Sequence, residues 1–107
     1  MEDFRRRPQE IRDMTREEKK NYVVRDSYGP FNLDHEQEKI KFQLMQEFVT
    51  LRKQAGITQE ELSRRTGISR PNIARMENGS YNPTIEMMVR LAAGIGKKID
   101  IRFRDML

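Results

Sequence analysis

Within the run TGISRPNIARMENG, residues 66–79, Ser69, Arg70, Pro71, Asn72 and Arg75 bring together the side-chain types that read nucleic-acid bases. Arg70 and Arg75 each offer a guanidinium fork that can bond O6 and N7 of one guanine, the commonest specific base contact. Pro71 offers only its ring, suited to a thymine methyl, and Asn72 can lie sideways toward a phosphate. The proline also locates the element that holds these groups. If Ser69 is an N-cap, Arg70 and Pro71 are the first two residues of a helix. The amide nitrogens of that turn have no intrahelical carbonyl to reach, so a missing N–H there costs little.

The flanking residues supply what positions such a helix. Thr58 precedes QEELSRR with Glu61 three residues on, the spacing of a capping box, and Gly67 ends that helix after about two turns. The helix opened by Ser69 runs to about Glu77 and stops at Asn78–Gly79. Two short helices joined by a tight glycine-containing turn form a helix-turn-helix, whose second helix enters the major groove. Ile73 should face inward, against the first of the two.

Upstream, Asp34 is read as the cap of a long helix, with Gln37 three residues on, Leu44, Phe48 and Leu51 on its apolar face, and Gly56 as its stop. Downstream, Thr84 caps IEMMVRLAAGI, with Ile85, Met88, Leu91, Ala92 and Ile95 on one side and its methionines as core filler. KKIDIRF then alternates, Ile99, Ile101 and Phe103 against Lys98, Asp100 and Arg102, which is the pattern of a strand. A lone strand cannot satisfy its own backbone groups. Its expected partner is residues 22–25 of the same chain, a second copy, or a different protein.

The chain has 107 residues, 36% charged and 36% hydrophobic, so its core must be small. Apolar positions concentrate after residue 40, which divides the chain into an extension (1–33), a helical domain (34–96) and a terminal strand (97–107). The extension reads as a helix near Pro8, a second helix capped by Thr15, a brief strand at NYVV, and a break at Gly29–Pro30. Net charge is +4, but between Arg52 and Arg75 six Lys or Arg stand against Glu60 and Glu61 alone, a local basic patch. Arg64 and Arg65 within it are equally readable as solvated surface. There is no cysteine, and His35 is the only histidine. That removes disulfides, thiolate zinc sites, Cys nucleophiles and paired-His metal sites, so neither an enzyme nor a metal or other cofactor is expected. With no apolar run of spanning length and a charged start, the expectation is a soluble cytoplasmic protein with no membrane partner.

TQEELSRRTGISRPNIARMENG closely resembles the Xre/Cro helix-turn-helix family. It has the Gln59-x-x-Leu62 opening, a small residue at Ser63, Gly67 in the turn, Ile68 and Ile73 inside, and the Glu77–Asn78–Gly79 ending. The resemblance, over roughly Phe48 to Ile95, implies a mainly α, lambda-repressor-like helical bundle. To this the chain adds a C-terminal β-strand and an N-terminal extension. It further implies base reading by Ser69, Arg70, Pro71 and Arg75. Phosphate contacts or bracing fall to Thr58, Gln59, Asn72 and Asn78, and a structural salt bridge joins Arg52 to Glu77. Proline stands where many family members place a hydrogen-bonding residue, so the base pair opposite Pro71 is read differently or not at all. The family binds double-stranded operator DNA as homodimers on two half-sites.

The ending ENGSYNPTIEMMVRLAAGIGKKIDIRF looks like that of HigA-type antitoxins, and HipB-type antitoxins end similarly. This implies a repressor of its own operon that also neutralises a protein toxin encoded by an adjacent gene, a RelE/HigB-like mRNA-cleaving ribonuclease. Ile99, Ile101 and Phe103 are then dimerisation candidates. Phe4, Ile11, Met14, Tyr22, Val23, Tyr28 and Phe31 are toxin-binding candidates in an extension that either wraps a toxin or packs on the first long helix. The alternative is a stand-alone Xre-type transcriptional regulator.

Overall fold

The computed structural model describes residues 13–21, 23–26 and 29–105. The elements in chain order are α1 (Arg16–Asn21), β1 (Val23–Asp26), β2 (Gly29–Asn32), α2 (Leu33–Gln54), α3 (Gln59–Thr66), α4 (Arg70–Glu77) and α5 (Ile85–Gly94). They form two compact units that divide within α2. One runs to Ile40 and includes the chain from Phe103 onward; the other is Lys41–Arg102. The helix expected near Pro8 lies outside the described residues, as do the candidates Phe4, Ile11, Tyr22 and Tyr28 and the side chains of Val23 and Phe31.

In the first unit, Thr15 Oγ1 accepts the Glu18 N–H at 3.1 Å, the cap that its spacing predicts. β1 and β2 pair antiparallel, Val23 opposite Asn32 and Asp26 opposite Gly29. Gly29 and Pro30 therefore open a strand and are not a simple break. Proline has no N–H to give a ladder, but in a two-stranded sheet every strand is an edge, where that loss is tolerated. α2 begins two residues earlier than a cap at Asp34 suggests, because Asn32 Oδ1 takes the His35 N–H at 2.8 Å and caps the helix in place of Asp34.

In the second unit, one core of Met45, Phe48, Ile57, Leu62, Ile68, Ile73, Met76, Met88, Leu91 and Ile95 joins α2 to α5. Phe48 is buried as its spacing predicts, whereas Leu44 and Leu51 sit at the rim of the core. Ile85 is a correction: it lies on the apolar stripe of α5 yet is 70% exposed. Helical periodicity fixes the direction of a side chain, not whether another element stands opposite it. Thr84 caps α5 through the Met87 N–H at 3.1 Å.

The C-terminal β-strand is not present among the described residues. β1 pairs with β2, and residues 97–105 belong to no strand. Ile99 packs against the core, while Ile101 is 64% exposed and Phe103 fully so. Alternation supplies a candidate strand, but only a partner's backbone makes one. Among the described residues no helix is long and apolar enough to cross a membrane.

α3 and α5 approach each other closely at Gly94. A Cβ placed there would meet Leu62 Cδ1 at 2.6 Å and Thr66 Cγ2 at 2.8 Å. Neither neighbour can yield easily, since Leu62 is fully buried and the Thr66 hydroxyl is tied to the Leu62 carbonyl at 2.8 Å. Gly94→Ala is expected to lower unfolding free energy by about 1–3 kcal/mol despite the better helix propensity of alanine, as read by urea denaturation.

Candidate nucleic-acid interface

The helix-turn-helix is assembled by local hydrogen bonds. Thr58, in an extended conformation, accepts the Glu61 N–H on Oγ1 at 3.1 Å and starts α3. Gly67 ends α3 at φ 75°, a left-handed conformation that strains any residue with a Cβ, and returns its N–H to Ser63 O at 2.9 Å. Two residues later Ser69 is again extended, and its Oγ accepts the Asn72 N–H at 3.3 Å. Arg70 and Pro71 are thus the first two residues of α4, where the proline ring removes no helical bond.

Ile73 and Met76, both fully buried, hold α4 against Leu62 and Ile68 in the core. The opposite face is then forced outward: Ser69, Arg70, Pro71, Arg75 and Asn78 are exposed, and Asn72 is half-buried at its edge. Exposed and basic, this face has the chemistry to meet base edges and phosphates.

Behind it lies a nearly dry ionic brace. Arg52 Nε and Nη2 reach the two carboxylate oxygens of Glu77 at 2.7 and 2.9 Å, with both side chains under 10% exposed. Arg52 Nη1 donates to the Ile57 carbonyl at 2.8 Å, and Gln59 Nε2 donates to Glu77 Oε1 at 2.9 Å. One carboxylate thereby ties the end of α2, the start of α3 and the end of α4 together. Among the described residues no buried side-chain polar atom lacks a partner. The sequence gives Gln59 a bracing role but does not name Glu77 as its partner, nor the Ile57 carbonyl as that of Arg52. The available signal was Arg52 one turn beyond Phe48 on the buried stripe, where a cation requires an anion.

The cations of α3 are otherwise engaged. Glu61 does not close a capping box: its carboxylate turns to Arg64 and Arg65. The Arg64 hydrogen bond, with Arg65 second, holds that carboxyl below the usual carboxylate range. Arg65 also donates to the Gly94 carbonyl at 3.1 Å, covering the end of α5. In α4, Arg75 Nη1 donates to Asn72 Oδ1 at 2.8 Å, whereas Arg70 has no partner among the described residues. Asn78 caps α4 and takes the Ser80 N–H on Oδ1 at 2.9 Å, a turn contact that the sequence pattern did not reveal.

Glu77→Ala leaves Arg52 buried without an anion. It is expected to cost about 3–5 kcal/mol in urea unfolding, well above the cost of an exposed charge. Arg52→Met, which removes the cation too, should cost less than Glu77→Ala; the reverse order would mean that the pair is not desolvated as described.

A helix-turn-helix family model (HTH_3) matches residues 50–101, the stretch that holds α3, the turn, α4 and α5. The chain is 39% identical over 62 residues to an uncharacterised HTH-type transcriptional regulator of Haemophilus influenzae, an alignment that covers 58% of this chain and 63% of that protein. It is 40% identical over 47 residues to an uncharacterised HTH-type transcriptional regulator of Methanothermobacter thermautotrophicus, covering 44% of this chain and 68% of that protein. The chain thus spans somewhat less than two thirds of the Haemophilus relative and slightly more than two thirds of the archaeal one. Together with the capped helix pair, the buried Ile73 and the exposed face of α4, these matches place the chain in the helix-turn-helix (HTH_3) family.

Proposed function

We propose that this chain is a sequence-specific, DNA-binding regulator of transcription that lays α4 in the major groove. The observation that carries the reading is the outward face of α4, with Ser69, Arg70, Pro71 and Arg75 exposed on a helix immobilised from behind by Ile73, Met76 and the Arg52–Glu77–Gln59 brace. In this reading those four residues meet bases, and Thr58, Gln59, Asn72 and Asn78 meet or brace toward phosphates. The Gln59 amide gives one N–H to Glu77 and keeps a second for a phosphate, so bracing and contact are compatible. Two copies on two half-sites double these contacts, and the exposed Ile101 and Phe103, with Ile99, are the proposed seam between copies.

The finer reading is an antitoxin that represses its own operon and neutralises a RelE/HigB-like mRNA-cleaving toxin. Its support is the HigA-like ending, together with a hairpin unit that lies before the stretch matched by the family model. Toxin contacts are proposed for the extension, from Phe4 through Met14 to Phe31. A stand-alone regulator would lack any toxin gene beside its own.

Arg70→Ala and Arg75→Ala are each expected to weaken binding to a selected operator by about 1–3 kcal/mol and to relax base choice. Gln59→Ala should weaken all duplexes alike. Undiminished binding in both arginine variants, with the fold intact, would remove α4 as the reading helix. Deleting residues 1–33 should leave operator binding largely unchanged and abolish rescue of growth from a toxic neighbouring gene product. Lost operator binding would instead make the extension part of the DNA-binding unit.

A further inference from the structure

The Asn72–Arg75 contact differs in kind from the other arginine contacts around it. Arg64 and Arg65 are held by a carboxylate, Glu61, which cancels charge as it binds. Arg75 is held at 2.8 Å by the neutral amide oxygen of Asn72, which fixes the guanidinium and leaves its charge intact. Asn72 occupies the third helical position and Arg75 stands one turn on, a spacing at which side chains meet on one edge of a helix. Among the described residues only Nη1 is engaged. The remaining N–H groups of the fork stay free on an exposed side chain that otherwise has several rotatable bonds to order before it can bind.

The contact also determines what the start of the helix displays. The Ser69 oxygen is occupied by the Asn72 N–H, and the Asn72 carbonyl oxygen is turned to Arg75. Arg70 has no partner among the described residues, and arginine carries no acceptor at all. From Ser69 to Arg75 the polar face is therefore mainly a donor surface. Guanine is the base whose major-groove edge presents two acceptors, O6 and N7, side by side.

We infer that Asn72 is a specificity-determining positioning residue: it pre-orients the Arg75 guanidinium for a guanine in each half-site. The inference rests on the DNA-binding reading above and adds that Arg75 selectivity depends on Asn72. An amide suits this role better than a carboxylate, because a negative charge at Asn72 would repel the phosphates that flank the same base pair.

The test uses the full chain and a random-sequence duplex library, followed by binding of the selected duplex with each of its base pairs varied in turn. Wild type should select a motif containing a guanine whose preference vanishes in Arg75→Ala. Asn72→Ala should reduce preference at that base pair alone by about 3- to 10-fold, the scale of one net hydrogen bond. Asn72→Ala/Arg75→Ala should show the same preference at that base pair as Arg75→Ala, whatever happens to its overall affinity. Asn72→Asp, which keeps the acceptor, should retain the preference while binding every duplex more weakly. The backbone N–H of residue 72 still closes the Ser69 cap in these variants; should Asn72→Ala fail to fold, Asn72→Leu is its substitute. Three results overturn the positioning role alone: an unchanged preference in Asn72→Ala, a loss at a different base pair, or full additivity in the double variant. A folded wild-type chain that selects no motif overturns the DNA-binding reading and this inference with it.

Discussion

Three helices, α2, α3 and α4, are tied to one buried carboxylate. Glu77 ends α4, and it takes Arg52 from α2 and Gln59 from α3, while Arg52 also holds the Ile57 carbonyl in the connection between them. A cation and an anion this far from water are costly unless every donor is met. Here the two guanidinium–carboxylate bonds, the carbonyl and the amide supply that satisfaction. The requirement restricts geometry more sharply than apolar packing does. Burial of Leu62, Ile73 and Met76 carries no directional bond, whereas the Gln59 amide and the Arg52 fork must both point at the same carboxylate.

Packing and charge then divide the work of presenting α4. The buried pair Ile73 and Met76 settles which side faces in. What faces out is shaped by the fate of the arginines. Arg52 is spent on Glu77, and Arg64 and Arg65 share Glu61, with Arg65 also closing the end of α5. The basic patch counted along the sequence is therefore not a uniform field. Of its remaining cations, Lys53 is exposed at the end of α2, and two stand on α4: Arg70, without a partner among the described residues, and Arg75, held by a neutral amide. Arginines left unneutralised on α4, with those of the helix behind it paired to Glu61, make the charge of this surface uneven.

Gly94 shows how small the tolerances are. The approach of α5 to Leu62 and Thr66 leaves no room for a methyl group, so α3 sits as close to α5 as a bare backbone allows. Arg65 reaches the Gly94 carbonyl in the same place, so a polar contact and a steric one define a single crossing. The unit that bears α4 is thus fixed on two sides, by the Glu77 cluster and by the α3–α5 contact.

The features legible from sequence are those whose partners lie within four residues. Thr15, Thr58, Ser69 and Thr84 each cap the helix that their spacing predicts, Gly67 takes the left-handed turn, and Pro71 marks where α4 begins. A cap needs one side-chain oxygen and one nearby N–H, both present before the chain folds. Family pattern extended this to Arg52 and Glu77, 25 residues apart, but not to Ile57 or to Gln59 as a third member of the cluster. Tertiary structure decided the remainder. Asn32 displaced Asp34 as a cap because β2 delivers it there, and Pro30 entered a strand because that strand has an open edge. Ile85 stayed exposed and residues 97–105 formed no ladder because burial and pairing each require a second surface. Periodicity within a segment states which groups seek a partner; only the assembled chain determines whether one is within reach.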